Sequence, residues 1–356
     1  MKILVLGGTV FLGWHIVEAA RLRGHEITTF TRGRHNPDLF SDVEKLRGDR
    51  DGGLAALRGR RWDAVIDTSG HVPRTVRDSA QLLSSAVEHY IFISTLAVYA
   101  GFPAVPGLDE NAPVVSPADP TLETVRPETM GPLKALCEEA VESAVPGRAL
   151  IVRAGLLAGP HDPTDRFTYW PRRVALGGEV LAPGTPEMRV QIIDARDLAS
   201  WILGAVQSRR TGVYNATGPA MPLTLEQLLA TCRAEARSDA RFTWVDDRFL
   251  LSAGVKPRME LPLWMPGAPG AATVDCRRAL AAGLFCRPLA DTVRDTLDWD
   301  AARGPAATPR AGMTREREAQ LLAEWRQLQA EGLVQQTEAG HPHQQHVGAR
   351  ASGSVH

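Results

Sequence analysis

The sequence predicts an α/β protein with a doubly wound parallel sheet and a smaller C-terminal α+β domain. Three observations at the start of the chain predict this fold class. First, residues 3–6 form a short run of branched apolar residues, which is typical of a buried parallel strand. Second, a glycine-rich turn leads into a helical pattern of apolar residues over 12–22. Third, residues 26–31 have the composition of another strand, which completes a strand–turn–helix–strand unit.

The glycine-rich turn is the strongest sequence signal for function. Backbone N–H groups at the start of the first helix, and the positive end of its dipole, favour a phosphate at this turn. Glycines also serve ordinary tight turns, but a turn between a strand and a helix is the context that the Rossmann-type dinucleotide motif requires. We therefore expect a dinucleotide to bind through Gly7, Gly8, Thr9, Phe11, Leu12 and Gly13. Val10 stands where such motifs have a glycine, so we expect a less close approach of the backbone to a diphosphate there.

The end of the second strand predicts which dinucleotide binds. An acidic residue there would bind the ribose 2′-hydroxyl, but this chain has Arg32 and Arg34 instead. Two guanidinium groups suit a 2′-phosphate, whereas the alternative is a pair of solvated arginines. The residues favour NADP(H) over NAD(H). Asp49 either accepts a hydrogen bond from the adenine amino group or belongs to an ordinary surface turn.

Composition argues against several classes of protein. The chain has 356 residues, of which 44% are hydrophobic and 23% charged, as in a globular protein. A net charge of −1 argues against nucleic-acid and anionic-membrane partners, and no run of roughly eighteen apolar residues predicts a membrane span. The chain starts without a signal peptide, so we expect a cytoplasmic protein. The four cysteines lack metal-ligand spacing, which predicts reduced, structural thiols and no metal site.

Two further strand-like segments, 62–68 and 89–95, follow the first unit. Ligands of open α/β sheets bind beyond the carboxyl ends of the strands. We therefore expect Ser69 and Gly70 to contact the cofactor, and His71 to neighbour the substrate pocket.

The middle of the chain continues the same alternation. A helix is predicted over 72–87, and another begins at Met130, before a strand over 149–156. The loop over 101–128 is long and rich in proline, and loops of that length in compact domains tend to be functional.

The domain organisation follows from the order of these elements. We expect a dinucleotide-binding Rossmann domain over 1–160, with a contribution from about 190–215, and a mainly substrate-binding domain over 161–300. An amphipathic pattern over 314–331 predicts a C-terminal helix that either docks on the chain or forms a dimer contact. Residues 332–356 have few apolar anchors, which predicts disorder.

Five segments, in order along the chain, match the motifs of one family. They are GGTVFLG at 7–13, FISTLAVYA at 92–100, MGPLKALCE at 130–138, IVRAGLLAGP at 151–160 and VQIIDARDLA at 190–199. Together they resemble the extended short-chain dehydrogenases/reductases, and among them the NAD-dependent epimerase/dehydratase group. The resemblance covers roughly residues 1–300, and several motifs in order are more specific than any one of them.

This resemblance implies a catalytic set. In the family a tyrosine phenol is the general acid/base, a nearby lysine holds the nicotinamide ribose and lowers the phenol pKa, and a serine or threonine hydroxyl binds the substrate oxygen. The matching positions are Thr95, with Ser94 beside it, and Lys134. The tyrosine position is Met130, whose thioether neither donates nor takes a proton. General acid/base catalysis contributes about 10²- to 10⁴-fold, so this replacement changes the expected mechanism.

Three hypotheses follow from the missing tyrosine. In the first, a substitute acid comes from Tyr99, Tyr169, His161 or Asp162, which the resemblance implies are near the pocket. In the second, hydride transfer suffices and water or the substrate supplies the proton. In the third, the chain keeps the fold and the cofactor site without oxidoreductase activity. Because the family's hydroxyl and lysine are both present, the first two are favoured together over the third.

The second half of the cleft is predicted from polar and aromatic residues beyond the fifth strand. The substrate-binding candidates are His71, His161, Tyr169 and Arg189. Aromatic rings beside arginines suit an anionic or ring-bearing substrate, although ordinary interdomain packing explains them equally well. Residues 190–193 predict a strand, and Asp197 suits the N-cap of the helix that follows.

The sequence therefore predicts an NAD(P)(H)-dependent reductase, epimerase or dehydratase acting on a small polar metabolite, such as a sugar nucleotide or an intermediate of secondary metabolism. The alternative is a non-catalytic NADP(H)-binding sensor or partner-binding protein on the same fold. The GGT-x-F-x-G variant of the first loop also occurs in a plant group resembling chloroplast stem-loop RNA-binding proteins, but the near-neutral charge argues against RNA. The resemblance also implies a homodimer, which no residue pattern demonstrates.

Overall fold

The computed structural model describes residues 1–116, 119, 121–304 and 307–332. The disorder predicted for 332–356 falls, apart from Gly332, outside the described residues. No helix in the described ranges is long and apolar enough to cross a membrane.

Strands and helices alternate through most of the described chain. The strands are β1 (Lys2–Leu6), β2 (Glu26–Thr31), β3 (Glu44–Arg47), β4 (Trp62–Asp67), β5 (Val87–Thr95), β6 (Ala149–Ala154), β7 (Leu156–Ala158), β8 (Glu179–Pro183), β9 (Arg189–Val190), β10 (Ile192–Asp194), β11 (Gly212–Ala216), β12 (Leu223–Thr224) and β13 (Arg241–Val245). The helices are α1 (Phe11–Leu22), α2 (Pro73–Leu83), α3 (Met130–Ala144), α4 (Tyr169–Ala175), α5 (Ala195–Gln207), α6 (Leu225–Ala236), α7 (Asp247–Ser252), α8 (Arg277–Ala281), α9 (Leu289–Ala302) and α10 (Arg315–Ala330).

Seven of these strands form one parallel sheet in the order β3-β2-β1-β4-β5-β6-β11. The chain builds outward from β1 to β3 in one direction, then returns to β4 and builds outward in the other. β1 and β4 are therefore neighbours whose connections diverge, which opens a crevice at their carboxyl ends. The predicted α/β class with a doubly wound Rossmann-type sheet is confirmed.

Burial on both faces of the sheet explains why the apolar run of β1 is continuous. Ile3 and Val5 pack with residues of α1 and α5 on one face of the sheet. Leu4 and Leu6 pack with residues of α2 and α3 on the other face. All four side chains are completely buried, so both faces of the strand require apolar residues.

A separate core lies in the C-terminal half. Its largest buried side chains are Trp170 and Trp264, which pack with residues of α4, α6 and β8. Helix α10 docks on this core through Leu321, Leu322 and Trp325, which are all buried. Docking on the chain therefore accounts for the apolar stripe of the C-terminal helix.

A buried ion pair anchors α10 to this core. Arg173 Nε donates to Glu318 Oε2 at 2.6 Å, and each side chain is 3% exposed. Glu318 Oε1 also accepts the backbone N–H of Leu181, on β8, at 3.0 Å. Both carboxylate oxygens are thus satisfied, which a buried charge requires.

Two sequence predictions at helix ends are wrong. The helix predicted over 72–87 is α2, which ends at Leu83 because the chain turns before β5 begins at Val87. The N-cap of α5 is Asp194, whose carboxylate accepts the N–H of Arg196 at 2.8 Å, and not Asp197. Asp197 lies in the first turn, where it accepts the N–H of Arg287 at 2.8 Å.

The strand predicted over 190–193 is divided into β9 and β10 at Gln191. The side chain of Gln191 bonds the backbone of Val274 twice: its Nε2 donates to the carbonyl at 2.9 Å, and its Oε1 accepts the N–H at 3.2 Å. This pair of bonds ties the break in the strand to the distant segment that contains Val274.

Candidate active site

The glycine turn between β1 and α1 forms a close cradle. Gly7 and Gly8 have φ values of +109° and +99°, which strongly favour glycine. A Cβ added at Gly13 would lie 2.7 Å from the backbone nitrogen of Gly8, and one added at Gly7 would overlap the Thr68 hydroxyl. The three glycines therefore bring the strand, the turn and the helix start together, as a phosphate-binding turn requires.

Val10, expected to disturb this turn, is accommodated by its backbone. It has φ −137° and ψ 135°, an extended conformation that any residue adopts, and it is the N-cap of α1. Its side chain is 43% exposed. The turn therefore keeps its close packing at the neighbouring glycines with a valine at this position.

A cavity of about 650 Å³, here called the cofactor cavity, opens at this turn. The predicted cofactor residues that line it are Gly7, Gly8, Thr9, Phe11, Leu12, Gly13, Arg32, Arg34, Asp49 and Ser69, and His71 joins them. These residues come from the carboxyl ends of β1, β2, β3 and β4. The structure thus gathers nearly the whole predicted set in the crevice at the β1–β4 switch point.

Arg32 and Arg34 lie exposed on the wall of the cofactor cavity. Within the described residues, neither guanidinium forms a salt bridge or a side-chain hydrogen bond, so both are available to an anion. Sequence analysis missed Arg47, which supports their turn: its Nη1 donates to Thr31 Oγ1 at 2.9 Å, and its guanidinium packs against Gly33.

Gly70 was predicted to bind the cofactor but has a packing role instead. It does not line the cofactor cavity, and a Cβ there would lie 2.6 Å from the ring of Phe92 and 2.8 Å from Val76. The position requires glycine because α2 and the sheet approach closely.

Lys134 lies beneath the cofactor cavity rather than on its wall. Its ammonium group is buried and donates to the carbonyl of Ile93, on β5, at 2.6 Å. Burial lowers the pKa of Lys134 to about 8. Ile93 itself lines the cofactor cavity. The carbonyl group of Ile93 therefore lies between the Lys134 ammonium and the residues of that cavity.

A second cavity, of about 460 Å³, is here called the substrate cavity. Thr95, at the carboxyl end of β5, and Arg189, on β9, both line it, as the sequence predicts for substrate-contacting residues. The loop after β5 contributes Phe102. The far wall consists of residues from 263–273, which belong to the C-terminal part of the chain.

The two cavities are lined by neighbouring residues on two strands. On β5, Ile93 lines the cofactor cavity and Thr95 lines the substrate cavity. On β7, Leu157 lines the cofactor cavity and Leu156 the substrate cavity. These four residues are here called the shared wall. On each of the two strands, the residue that lines one cavity is only one or two positions from the residue that lines the other.

Met130, which the sequence resemblance predicts to stand at the tyrosine position, begins α3 one turn before Lys134 and is half-buried. A Cβ at the next residue, Gly131, would overlap the carbonyl oxygen of Ala97. The start of α3 therefore packs tightly against the turn that follows Thr95. Met130 is not among the residues that line the substrate cavity.

Tyr99, the first candidate for a substitute acid, is held away from the substrate cavity. It is 1% exposed, and its hydroxyl donates to Asn215 Oδ1 at 2.6 Å. The guanidinium of Arg153 lies 4.7 Å from the ring centre. Burial raises the pKa of the Tyr99 phenol, and the group acts as a packing and hydrogen-bonding residue.

Tyr169 and Asp162 are also structural. Tyr169 is 6% exposed in the C-terminal core, with its ring against Gly312. Asp162 is 1% exposed, and its carboxylate accepts the N–H and the hydroxyl of Thr164 at 2.8 and 2.7 Å. Tyr169, predicted as a substrate-binding residue, does not line the substrate cavity and packs in the C-terminal core.

His161 lies on the opposite side of the glycine turn from the substrate cavity. Its ring stacks on Trp14, with 4.0 Å between ring centres, and it lines a third cavity of about 350 Å³. Burial lowers the pKa of His161. Neither His161 nor His71 lines the substrate cavity, so of the four predicted substrate-binding residues only Arg189 does.

Three residues of the substrate cavity escaped the sequence analysis as candidates: Arg166, Thr217 and Arg258. Arg166 belongs to the polar and aromatic run after β7, which was the available signal. Thr217 follows β11 directly, at the carboxyl edge of the sheet where ligands bind. Arg258 has no sequence signal in a chain with many arginines.

A parallel sheet with a glycine cradle and a cavity at its switch point defines a dinucleotide-binding α/β protein. The model of the NAD dependent epimerase/dehydratase family matches residues 3–217, more than half of the chain. The chain belongs to this family, and its fold is that of NAD(P)-dependent enzymes.

Curated relatives are distant. The chloroplast stem-loop binding protein of 41 kDa b from Arabidopsis thaliana is 24% identical over 251 residues, which cover 65% of this chain and 62% of the relative. The chain thus spans less than two thirds of that protein's length. The 3-diazoavenalumate denitrifying reductase of a Streptomyces species is 24% identical over 237 residues, 61% of this chain and 76% of the relative.

Solved structures share the fold. The UDP-N-acetylglucosamine 4-epimerase of Bacillus cereus aligns with a TM-score of 0.63 at 16% identity, covering 87% of this chain and 99% of the other. The human epimerase family protein SDR39U1, solved with NADPH, aligns with a TM-score of 0.57 at 20% identity, covering 84% and 99%.

Proposed function

We propose that this protein is an NADP(H)-dependent reductase that transfers a hydride to a small metabolite without a tyrosine acid. The observation that carries the proposal is the shared wall. Hydride transfer requires donor and acceptor in direct contact, and Ile93 and Thr95 line adjoining cavities from one strand.

The cofactor cavity fits a dinucleotide with a 2′-phosphate. The glycine cradle leaves room for the diphosphate beside the start of α1, and the free guanidinium groups of Arg32 and Arg34 suit the extra phosphate. When bound, the nicotinamide supplies the hydride. The human protein SDR39U1 was solved with NADPH and the UDP-glucuronic acid 4-epimerase of Bacillus cereus with NAD, so the proposed preference rests on Arg32 and Arg34.

Thr95 would bind the substrate oxygen. Its Oγ1 accepts the N–H of Ala97 at 3.3 Å, and within the described residues its own proton has no acceptor. The hydroxyl is therefore oriented by the turn and keeps a proton to donate to a carbonyl oxygen of the substrate.

The missing phenol favours reduction over epimerisation. An epimerase that oxidises a substrate hydroxyl requires a base to take its proton, and Met130 cannot serve. Asp247 is the only carboxylic acid among the described residues of the substrate cavity, and its Oδ1 already accepts the indole N–H of Trp264 at 2.7 Å. A reduction needs only a proton that water or the substrate supplies. The Streptomyces relative is named a reductase, which agrees with this direction.

Nicotinamide fluorescence tests the cofactor half of the proposal. NADPH should bind tightly and NADH weakly, and the double variant Arg32→Ala/Arg34→Ala should weaken NADPH binding about 10- to 100-fold with little change for NADH. The matched control is Arg77→Ala, which removes an exposed arginine of α2 that does not line the cofactor cavity. An equal loss of affinity for NADPH and NADH would mean that the two arginines do not bind the 2′-phosphate.

Turnover tests the catalytic half. NADPH oxidation with a panel of aldehydes and ketones should fall about tenfold in Thr95→Val at unchanged NADPH affinity. Because Met130 replaces the phenol, the alternative is a non-catalytic NADP(H)-binding sensor. Tight NADPH binding without oxidation by any member of the panel would favour that alternative.

A further inference from the structure

The substrate cavity carries an unusual charge balance. Among the described residues, three arginines line it, Arg166, Arg189 and Arg258, against one acid, Asp247. The Asp247 carboxylate is engaged by the Trp264 indole and forms no salt bridge with any of the three within the described ranges. The cavity therefore presents an excess of positive charge.

Arg166 is the most enclosed of the three guanidinium groups. Only its Nε has a side-chain partner, Thr164 Oγ1 at 3.2 Å, and within the described residues no carboxylate pairs with it. Burial lowers the pKa of Arg166, the nearby Asp162 carboxylate raises it in part, and the positive charge of Arg258 lowers it again. Two neighbouring cations without a bound anion are costly in a partly buried site, so the arrangement favours an anionic ligand.

The remaining lining is mostly apolar. Its larger apolar side chains are Leu96, Phe102, Leu156, Met188, Leu263 and Met265. Its neutral polar side chains are Thr95, Gln191, Thr217 and Thr273. The hydroxyls and base of a nucleotide sugar would require many hydrogen-bonding partners, and burying them against such a wall would leave polar groups unpaired. The wall instead matches an alkyl or aryl body.

Thr217 adds an independent sign of a ligand. It lines the cavity and is completely buried, yet its hydroxyl has no hydrogen-bond partner among the described residues. Buried polar atoms are rarely left unsatisfied in folded proteins. The hydroxyl oxygen lies beside Gly155, which also lines the cavity, so a ligand polar group that reaches this point would satisfy it.

We propose that the substrate cavity binds a small organic carboxylate, whose anionic group lies between Arg166 and Arg258 and whose apolar body packs against residues 263–273. The identification of this ligand as the substrate rests on the proposed reductase function. The binding of the carboxylate does not.

Calorimetry on the full-length protein tests the proposal with acid and amide pairs of the same shape. Benzoate, cinnamate and 4-phenylbutanoate are titrated beside their neutral amides and beside UDP-glucose, with and without saturating NADP⁺. At least one acid should bind about tenfold or more tightly than its amide, because charge-assisted hydrogen bonds are lost in the amide. UDP-glucose should bind more weakly than that acid.

Variants identify the site. Arg166→Gln should remove most of the preference for acid over amide while leaving amide binding unchanged. Arg248→Gln, which removes an exposed arginine of α7 outside the cavity, should retain the preference. If Arg166→Gln fails to fold by circular dichroism, the exposed Arg258→Gln takes its place.

Equal binding of acids and amides, tighter binding of UDP-glucose, or no binding of any of the three acids would overturn the proposal. So would an acid preference that survives both Arg166→Gln and Arg258→Gln. The reductase function is judged separately: carboxylate binding without NADPH binding or NADPH oxidation would remove the reductase and leave this inference standing.

Discussion

The two cavities are built in different ways. The glycine turn and the arginine turn of the cofactor cavity come from one continuous unit, from Gly7 to Arg34, in which backbone geometry decides each position. The substrate cavity is assembled from short pieces that lie between Thr95 and Thr273 in the chain. The two turns of the cofactor cavity are specified locally, although its remaining lining extends to Pro163. Among the described residues, no comparable continuous unit exists in the lining of the substrate cavity.

The largest expected effect tests the local region. In Gly13→Val, the side chain would meet the backbone of Gly8, which cannot move without opening the turn. We expect NADPH binding to fall about 100-fold or more, measured by nicotinamide fluorescence.

The control for that variant is Gly204→Ala on α5, where an added Cβ meets no atom within 4 Å. It should bind NADPH as the wild type does. If Gly13→Val folds and binds NADPH normally, the glycine cradle is not the phosphate site.

The largest expected effect on stability tests the C-terminal core instead. Glu318→Gln removes the charge that pairs with buried Arg173, and breaking a buried pair costs about 3–5 kcal/mol. Urea unfolding should detect this loss, while NADPH affinity under native conditions stays unchanged. Glu316→Gln, on the exposed face of the same helix, is the control and should change stability little. Loss of NADPH binding in Glu318→Gln would show that the two regions are coupled.

The smallest effect is a pH dependence of the free energy of unfolding, and it comes from Lys134, which is buried beneath the cofactor cavity. The pKa of Lys134 is about 8 in the folded protein and about 10.4 when unfolded. Between these values the unfolded chain binds more protons, so the contribution of Lys134 to the free energy of unfolding rises with pH. It rises by about 1.4 kcal/mol per pH unit over this window and is constant below it.

Urea unfolding at pH 7.5, 8.5 and 9.5 measures this rise as the difference between wild type and Lys134→Met. Lys256→Met, which removes an exposed lysine of the C-terminal half, should show no such pH-dependent difference. Parallel curves for wild type and Lys134→Met would contradict a lowered pKa at Lys134.

The contrast between the regions also explains what sequence could predict. The sheet, the glycine cradle and the walls of the cofactor cavity follow from strand composition and from positive φ angles at Gly7 and Gly8, which are local properties. Thr95 was predicted because the segment FISTLAVYA resembles a family motif that has a serine or threonine at a strand end.

The misplaced candidates have a common cause. Tyr99 donates to Asn215, which lies 116 residues away in the chain, and His161 stacks on Trp14. No local pattern distinguishes such packing residues from catalytic ones, because the partner is brought in by the tertiary fold. Arg258 was missed for the same reason.

The far wall of the substrate cavity has a practical consequence. Residues 263–273 contain only a short 3₁₀ turn, Pro269–Ala272, and contribute no strand to the parallel sheet. The segment is anchored at Gly270, which packs on the backbone carbonyls of Pro103 and Val105. A protein engineer could therefore vary the cavity-facing side chains of this segment to change ligand preference, while Gly270 and the buried Trp264 are kept and the cofactor cavity stays untouched.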